Sequence, residues 1–410
     1  MSLDPRQETP PIPARALEAG VLGRSTSFLA DDYSRRRSEI EAAVAGRRIL
    51  VVGGAGTIGA MAAELLCEFR PAALHVLDSN ENGLAELVRD FRSRGLARGD
   101  FRTLPLDYGS PVTERFLRDA APYDMVMNFA ALKHVRSEKD LYSLLQMIDT
   151  NVVRQVSFIG WLERYGHTGR YFAVSTDKAA NPTSLMGASK RLMEDVVFSA
   201  PAAVVTSARF PNVAFSNGSL LQSFLLRLAK RQPLAVPRDT RRYFISAREA
   251  GEICLLAATA APAGHVLVPR FDPEIDLRPL ELIAGQTLQH FGLEPVFYVD
   301  AEEAGRHVEI DRGRHCYPVV LTALDTSGEK PYEEFQGEGE SLVEIGFEHL
   351  LAVRHVKPDD ASLSAAVRRL ANMVADPKHT IDKTDVVETV SSVVRGFRHR
   401  ETGRNLDDRA

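Results

Sequence analysis

Short apolar runs alternate with amphipathic stretches through the first half of the chain. The apolar runs suit buried parallel strands and lie at residues 48–52, 74–77, 101–106, 125–130, 171–175 and 203–208. Stretches in which apolar side chains recur at helical spacing separate them, at residues 57–69, 81–94, 141–165 and 185–199. This alternation predicts an α/β fold in which helices cover both faces of a doubly wound parallel sheet.

The flanking segments lack that regular alternation. Residues 1–30 predict an extended arm, because they are rich in proline, alanine and glycine, and residues 31–46 predict one amphipathic helix with Tyr33, Ile40 and Val44 facing inward. In the second half we expect helices at 220–230, 247–258 and 279–291, a strand at 265–269, an irregular acidic region at 301–347, and terminal helices at 362–375 and 383–397.

These patterns divide the chain into four parts. Residues 1–46 form the arm and its helix, and residues 47–210 form the sheet domain, to which the chain returns near residues 240–260. Residues 211–350 form a smaller, discontinuous lobe, and residues 351–410 form a helical C-terminal tail.

Composition narrows the class of protein without assigning a function. The 410 residues carry a net charge of -5, which provides no basic field for a nucleic-acid partner. The longest uncharged stretch, residues 253–269, is interrupted by proline and histidine, so we expect no membrane insertion. The N-terminal residues lack the apolar run of a signal peptide. Three cysteines without a CxxC pair favour a cytoplasmic location and no metal site.

The strongest local motif is a glycine-rich turn between the first strand and the next helix. Gly53 suits a tight turn, Gly56 a close approach of the backbone to a pyrophosphate, and Gly59 close packing of the helix on the sheet. The helix N-terminus would add N–H donors. The alternative is a glycine turn that only packs. Because a predicted strand and helix flank the motif, we favour a dinucleotide site of the Rossmann type.

Acidic residues follow the next two strands. Asp78 would hydrogen-bond the ribose diol of a dinucleotide and repel a 2′-phosphate, which favours NAD over NADP. Asp107 is placed to meet the adenine. The cofactor-binding residues predicted from these segments are Gly53, Gly56, Thr57, Ile58, Gly59, Asp78, Ser79, Asp107 and Tyr108.

A polar cluster follows the strand predicted at 171–175. Thr176, Asp177 and Lys178 leave the carboxyl end of that strand, where ligands bind in such sheets. Met186 and Lys190 lie one turn apart on the following helix. The cluster has the outline of a catalytic constellation. The alternative is that Asp177 and Lys178 form a solvated turn and that Lys190 lies on the surface.

Together these motifs resemble the UDP-N-acetylglucosamine 4,6-dehydratases of bacterial polysaccharide biosynthesis, which are extended short-chain dehydrogenases. The resemblance implies a Rossmann domain with a smaller C-terminal lobe that binds the sugar nucleotide, and it spans roughly Val21 to Asp408. The segments that support it are GGAGTIG (53–59), NFAALKHV (128–135), the asparagine of DTNVV (149–153), STDKAANP (175–182), MGASK (186–190), RYFIS (242–246) and GEKPYEEF (328–335).

The resemblance places the short-chain catalytic triad on Thr176, Met186 and Lys190, so methionine occupies the usual tyrosine position. The large membrane-anchored dehydratases of this family also have methionine there, and this chain is similar to their catalytic half without the membrane part. A thioether has no titratable proton and is a weak acceptor. Asp177 or a water must therefore take the proton of the C4 hydroxyl.

The reaction implied by the resemblance is an internal redox cycle with tightly bound NAD, which is regenerated in each cycle. Hydride leaves C4 of the sugar, Lys178 as base removes the C5 proton, Asp177 as acid protonates the leaving C6 hydroxyl, and hydride returns to C6. Thr176 would hydrogen-bond the C4 oxygen, and Lys190 would hold the nicotinamide ribose. Burial and the charge of Lys190 would lower the pKa of Lys178 into a useful range.

Supporting residues also follow from the resemblance. Ala130 and Ala131 would line the nicotinamide side, and Asn151 would organise the backbones that follow strands four and five. Pro211 replaces a glycine of the family pattern, which removes a backbone N–H. The implied substrate-binding residues are Lys133, His134, Asn212, Ser219 and, for the diphosphate, Arg242.

Each of these assignments has a structural alternative. His134 is equally suited to a structural hydrogen bond, and Arg242 lies in a basic segment that could be a solvated loop. The predicted partner is a UDP-sugar, and the resemblance implies a homo-oligomer assembled through helices beside the Rossmann sheet.

The sequence therefore leaves three functions open. The first is 4,6-dehydration of a UDP-N-acetylhexosamine, with UDP-GlcNAc as the expected substrate. The second is epimerisation at C5 or C2 coupled to the same C4 oxidation, which motifs do not distinguish from dehydration. The third is a non-catalytic dinucleotide-binding protein, in which Met186 marks lost chemistry. Retention of Thr176, Asp177, Lys178 and Lys190 argues against the third function.

Overall fold

A computed structural model describes residues 15–167, 169–200, 204–324, 330, 332–378 and 380–399. The first fourteen residues of the predicted arm and the predicted polar tail from residue 400 onwards lie outside the described residues.

The elements alternate along the first half of the chain as the apolar pattern predicts. The strands are β1 (Arg48–Val52), β2 (Ala73–Leu77), β3 (Asp100–Leu104), β4 (Met125–Asn128), β5 (Arg170–Val174), β6 (Val204–Ala208), β7 (Asn212–Val213), β8 (Leu234–Pro237), β9 (Arg241–Arg242), β10 (Phe244–Ile245), β11 (His265–Pro269), β12 (Arg278–Pro279), β13 (Glu294–Tyr298), β14 (Cys316–Thr322), β15 (Leu342–Val343) and β16 (Leu350–Arg354).

The helices are α1 (Arg15–Leu22), α2 (Ala30–Arg35), α3 (Arg37–Val44), α4 (Thr57–Cys67), α5 (Glu81–Ser93), α6 (Pro111–Asp119), α7 (Leu141–Ile148), α8 (Arg154–Arg164), α9 (Leu185–Phe198), α10 (Leu220–Ala229), α11 (Ala247–Thr259), α12 (Pro273–Asp276), α13 (Leu280–His290), α14 (Ala301–Arg312), α15 (Asp360–Ala375) and α16 (Lys383–Ser391). A π-helical turn, Asp149–Val153, joins α7 to α8 within the single helix predicted at 141–165.

Nine strands form the central sheet, in the order β15-β16-β11-β6-β5-β4-β1-β2-β3. The pairs from β3 to β11 are parallel, and β16 and β15 add an antiparallel edge. The strand order reverses between β1 and β4, and ligands bind at the carboxyl ends of strands on either side of such a switch point. The predicted α/β fold of the Rossmann type is confirmed.

A smaller lobe surrounds the parallel sheet β13-β14-β8. Its core joins apolar side chains of α10, α13 and β14 to Leu17, Val21 and Leu22 of α1. Helix α1 lies in the segment for which the sequence predicted only an extended arm. Its apolar residues recur at helical spacing, but the prolines that precede it dominated the composition of that segment.

Other expectations for the flanks were also wrong in detail. The helix predicted over residues 31–46 is two helices, because the backbone breaks at Arg36 (φ -92°, ψ 3°). The side chains of Tyr33, Ile40 and Val44 are buried as predicted. The region predicted as irregular contains α14 and β14, and the strand β16, at the start of the predicted tail, lies in the central sheet.

The two C-terminal helices cover one side of the Rossmann domain. Apolar side chains of α15 and α16, among them Leu370 and Val390, pack with residues of α7 and α9 in one cluster. Residues 185–197 of α9 are buried in this single chain. The predicted homo-oligomer stays a prediction, and the buried part of α9 offers no surface for it. Over the described residues, every helix is too short or too polar to cross a membrane.

Candidate active site

The glycine-rich turn after β1 has a shape that larger residues would disrupt. Gly53 has a φ of 74°, in the left-handed region that favours glycine. A Cβ on Gly53 would lie 2.6 Å from the backbone nitrogen of Ala130, and a Cβ on Gly59 would lie 2.3 Å from the carbonyl oxygen of Gly53. Gly56 is the N-cap of α4 and contributes no capping side chain. The first turn of α4 is therefore open to an anion such as a pyrophosphate.

Gly59→Ala tests this turn, with Gly160→Ala as the matched helical control. We expect the first substitution to lower the free energy of unfolding by about 1–3 kcal/mol, because backbone atoms surround the new methyl group, and to abolish stabilisation by NAD. A Cβ at Gly160 meets no atom within 4 Å, so Ala there should be neutral or stabilising by about 0.5–1 kcal/mol. Thermal unfolding with and without NAD measures both; NAD stabilisation of Gly59→Ala equal to wild type would contradict the account.

Asp78 connects the end of β2 to the glycine-rich turn. Its carboxylate accepts hydrogen bonds from the backbone nitrogens of Ala55 and Asn80, both at 2.9 Å. Ser79, in the same turn, is exposed. The geometry places the acidic group beside the turn, as a role in binding a ribose diol requires.

The other predicted adenine-side residues are engaged within the protein. Asp107 accepts a hydrogen bond from the backbone nitrogen of Gly109 at 2.9 Å and forms an ion pair with Arg154. Tyr108 is 4% exposed, and its hydroxyl donates to the carbonyl oxygen of Thr150. Its ring therefore packs in the core, and a contact with a cofactor would have to use other atoms of this residue.

Two buried asparagines hold the backbone that follows β4. Asn128 accepts a hydrogen bond from the backbone nitrogen of Ala130 at 2.9 Å. Asn151 accepts one from the nitrogen of Leu132 and donates one to its carbonyl oxygen, each at 2.9 Å, and it also donates to Ser189 of α9. The predicted organising role of Asn151 therefore has a matching set of contacts.

The segment after β4 meets the segment after β7. Lys133 and His134 are exposed, and the ring of His134 would lie 2.7 Å from a Cβ on Gly218. In the same segment, the backbone nitrogen of Asn217 donates to the hydroxyl of Thr57 at 3.1 Å. The predicted substrate residues thus adjoin the first residue of α4, where the cofactor phosphates are expected.

Two predicted substrate side chains also have structural roles. Ser219 caps α10 by accepting a hydrogen bond from the nitrogen of Gln222 at 3.2 Å. Asn212 donates to the carbonyl oxygen of Tyr243 at 3.4 Å. These contacts neither require nor prevent binding of a sugar nucleotide.

A short chain of hydrogen bonds follows β5. The hydroxyl of Thr176 donates to Oδ1 of Asp177 at 2.8 Å, and Nζ of Lys178 donates to the same oxygen at 3.1 Å. Asp177 is 2% exposed, and no described donor lies within hydrogen-bond distance of its Oδ2. The three residues that the sequence grouped are therefore connected by hydrogen bonds, and their catalytic roles stay predictions.

Lys190 and Met186 lie on the buried helix α9. Nζ of Lys190 donates to the carbonyl oxygen of Val174 at 2.7 Å and lies 3.3 Å from Sδ of Met193, and burial lowers its pKa to about 8. Met186 is 3% exposed, and its backbone nitrogen donates to the buried carboxylate of Glu138 at 2.8 Å. Sequence reasoning missed Glu138, which holds the first turn of α9.

The expected pKa of Lys178 was wrong. Burial by itself would lower the pKa, but the charges of Asp177 and Glu333 outweigh it and raise the pKa above its usual value. The cation that opposes the shift is Arg242 rather than the expected Lys190. Sequence reasoning missed Glu333 as a site residue, although it had singled out the segment GEKPYEEF that contains it.

Arg242 lies in the same cluster. Its guanidinium donates to the carbonyl oxygens of Arg241 and Lys330 at 2.9 and 3.0 Å. Arg242 is half-buried near the charges of Lys178 and Glu333. A solvated basic loop does not describe this environment. Among the described residues, no group of three or more His, Cys, Asp and Glu side chains could hold a metal ion.

The family model described as polysaccharide biosynthesis protein matches residues 49–354. The chain belongs to this family. The match begins in β1 and ends with β16, so it includes the glycine-rich turn, the segment after β5 and Glu333. The resemblance inferred from the motifs is confirmed at the level of the family.

Similarity to individual relatives is modest. An uncharacterised membrane protein of Methanocaldococcus jannaschii is 30% identical over 259 residues, 61% of this chain and 74% of that protein. A UDP-N-acetylglucosamine 4,6-dehydratase (inverting) of Campylobacter jejuni is 27% identical over 257 residues, 60% of this chain and 73% of the enzyme. The capsular polysaccharide biosynthesis protein CapD of Staphylococcus aureus is 28% identical over 54% of this chain, which spans 37% of CapD.

Solved structures share the fold. Pen from Bacillus thuringiensis superposes with a TM-score of 0.62 at 20% identity, over 76% of this chain and 88% of Pen. WbmF from Bordetella bronchiseptica, in complex with NAD+, gives a TM-score of 0.51 at 16% identity, over 65% of this chain and 88% of WbmF.

Proposed function

We propose that the protein is an NAD-dependent 4,6-dehydratase of a UDP-N-acetylhexosamine, with UDP-GlcNAc as the first candidate substrate. The observation that supports this most is the chain Thr176–Asp177–Lys178 at the carboxyl end of β5, on the edge of the sheet where the glycine-rich turn follows β1. The Campylobacter jejuni dehydratase, at 27% identity, performs the reaction that this arrangement suits.

The residues after β1 and β2 fit a dinucleotide. The glycines of the turn carry no side chains, and the first turn of α4 has no capping side chain. The carboxylate of Asp78 is hydrogen-bonded to the same turn. Bound NAD would supply the hydride acceptor for C4 and the hydride donor for C6. Lys190 would stand on the nicotinamide side as a cation whose pKa of about 8 leaves it charged at neutral pH.

The proton steps can be assigned to residues after β5. Thr176 would accept a hydrogen bond from the C4 hydroxyl while its own proton points to Asp177, so the C4 proton can pass through the threonine to that carboxylate. Asp177 then holds the proton that the leaving C6 hydroxyl requires, and water departs. Lys178 in its neutral form would take the C5 proton and later return it. This route needs no titratable group at Met186.

Incubation of UDP-GlcNAc with the protein and NAD+ tests the proposal. We expect a product lighter by one water, without net accumulation of NADH. Solvent deuterium at C5 without loss of water would indicate epimerisation instead. If none of a panel of UDP- and dTDP-sugars is converted, both enzymatic functions are contradicted and dinucleotide binding without catalysis is the remaining function.

The cytoplasmic location remains a prediction.

Asp78→Ala tests the cofactor assignment. The variant loses the acceptor of the Ala55 and Asn80 N–H groups and the group expected to meet the ribose diol. We expect NAD to bind about tenfold or more weakly, as for loss of a hydrogen bond to a charged group, and the preference over NADP to decrease. Asp90→Ala, at an exposed residue of α5 paired with Arg94, is the control. Calorimetric titration with both cofactors measures the change; an unchanged preference would remove Asp78 from the ribose site.

A further inference from the structure

A second carboxylate, from a segment far along the chain, adjoins Lys178. The segment around Glu333 is fixed against the turn that follows Asp177 and Lys178. Nδ2 of Asn181 donates to Glu334 at 2.9 Å, and the backbone nitrogen of Glu338 donates to Oδ1 of Asn181 at 2.8 Å. A Cβ on Gly337 would lie 2.4 Å from the carbonyl oxygen of Ala180. The position of Glu333 is therefore set by close backbone packing.

The side chain of Glu333 is 5% exposed and points at the predicted base. Its Oε1 lies 3.6 Å from Nζ of Lys178, and Oδ1 of Asp177 lies 3.1 Å from the same nitrogen. Its Oε2 lies 3.8 Å from Nζ of Lys330, and no described donor reaches it within hydrogen-bond distance. Arg242 completes the charged groups around the pair. The amine of Lys178 thus forms ion pairs with two buried carboxylates.

This arrangement creates a requirement for the proposed reaction. Lys178 must be a neutral amine to take the C5 proton, yet its two acidic neighbours favour the ammonium form. A proton acceptor next to Nζ removes the conflict without involving solvent. Glu333 suits that role better than Asp177, because Asp177 already receives hydrogen bonds from Thr176, the backbone nitrogen of Lys178 and Nζ.

We propose that Glu333 is a positioning residue that receives the proton of Lys178, so that ammonium and carboxylate become amine and carboxylic acid before C5 is deprotonated. The inference rests on the proposed function. Nζ then takes the C5 proton, the C5 electron pair expels the C6 hydroxyl with the proton held by Asp177, and Glu333 keeps its proton until Lys178 returns its own to C5. The N–O distance of 3.6 Å must shorten when substrate binds, as contacts between catalytic groups commonly do.

The electrostatics of the cluster favour a protonated Glu333. Burial and the nearby charge of Asp177 raise the pKa of Glu333, although Lys178, Arg242 and Lys330 oppose the shift. The pKa of Lys178 is raised as well, which by itself favours the ammonium and opposes the transfer. The two groups titrate as a pair, so moving a proton within the pair changes no net protonation. The rate should therefore be independent of pH between the two apparent pKa values of the pair.

Glu333→Gln should remove that plateau. Lys178 would then have to lose its proton to solvent, so kcat should rise tenfold per pH unit through neutral pH and lie about 100-fold below wild type at pH 7, with a change in KM of less than about twofold. Glu333→Asp keeps a carboxylate and should keep the plateau. Glu334→Gln, at the exposed neighbour that bonds Asn181, is the matched control. A wild-type plateau in Glu333→Gln would overturn the inference.

A second readout does not depend on turnover. The Lys178 signal in 15N-lysine NMR, assigned with Lys178→Arg, reports the pKa of this amine in the free protein. Because the Glu333 carboxylate favours the ammonium, Glu333→Gln should lower that pKa, and Glu334→Gln should not. An equal pKa in wild type and Glu333→Gln would overturn the inference even if wild type dehydrates UDP-GlcNAc. Absence of any sugar product from wild type would contradict the proposed function and with it the proton transfer to Glu333, whereas the NMR comparison would still show whether Glu333 and Lys178 are electrostatically coupled.

Discussion

Lys178→Ala is expected to abolish dehydration while leaving NAD binding intact. The amine is the group next to Asp177 that can take the C5 proton, and general base catalysis is typically worth about 100- to 10,000-fold in rate. Oxidation at C4 does not need a base at C5, so the variant should convert its cofactor to the reduced form and stop there. Product mass and absorbance at the NADH wavelength, followed together in one single-turnover experiment, measure both effects.

The control for this variant is Lys357→Ala. Lys357 is 43% exposed and forms an ion pair with Asp360 at 2.8 Å. Its removal should change neither product formation nor the NADH signal. Dehydration by Lys178→Ala at the wild-type rate would remove Lys178 from the mechanism. If NAD no longer stabilises Lys178→Ala against thermal unfolding, removal of the lysine side chain disturbs the cofactor site instead.

Arg209→Met is expected to cause the largest loss of stability. Arg209 is 0% exposed, and its guanidinium makes two hydrogen bonds each to Glu194 (2.8 and 2.7 Å) and Glu340 (2.6 and 2.9 Å), and one to the carbonyl oxygen of Phe335. Methionine would leave two buried carboxylates without their main partner, and breaking a buried pair in this way costs about 3–5 kcal/mol. The midpoint of urea unfolding measures the change.

Arg231→Met is the matched control, because Arg231 is 54% exposed and its pairing with Glu309, at 3.3 Å, should be worth no more than about 1 kcal/mol.

The dependence of stability on acid pH provides a second test of the Arg209 network. Burial by itself would raise the pKa of Glu340, but Arg209 and Arg191 outweigh it and lower the pKa to about 2. This stabilisation is present above the usual value of 4.5 and is lost as the pH falls towards 2. Arg209→Met should show less of this loss; an equal urea midpoint and acid profile would contradict the account.

The hydrogen bonds of Arg209 also join two parts of the chain that border the candidate site. Glu194 lies on α9, four residues after Lys190, and Glu340 ends the segment that contains Glu333. Arg209 therefore holds together the helix and the segment that border Lys178. We expect Arg209→Met to lose activity at temperatures below its unfolding transition, because the position of Glu333 depends on this contact.

The sequence was sufficient for the central sheet because its strands are buried on both faces and therefore appear as apolar runs. The predicted runs at 48–52 and 74–77 correspond to β1 and β2 almost residue for residue. By contrast, β14 was missed although CYPVVLT is apolar, because the acidic residues around it dominated the composition of its region. Local composition and local periodicity disagreed there, and periodicity was the better guide.

The residues of the candidate site also differ in how well the sequence predicts them. The groups contributed by one short segment, such as Thr176, Asp177 and Lys178, are adjacent in sequence and could be found there. Glu333 comes from a distant segment that only tertiary packing brings to Lys178. The charge of Asp177, together with that of Glu333, reverses the expected direction of the pKa shift of the lysine. Burial alone, which a sequence can suggest, gives the wrong sign when a buried counter-charge is also present.

In the proposed mechanism, one active site oxidises C4 and returns the same hydride to C6. UDP-GlcNAc labelled with deuterium at C4 reports the fate of this hydride, and mass spectrometry and NMR of the product locate the label. We expect a 4-keto-6-deoxy sugar nucleotide that is lighter by one water and has the deuterium at C6. Deuterium that remains at C4 in an unchanged sugar, or a dehydrated product without the label, would contradict it.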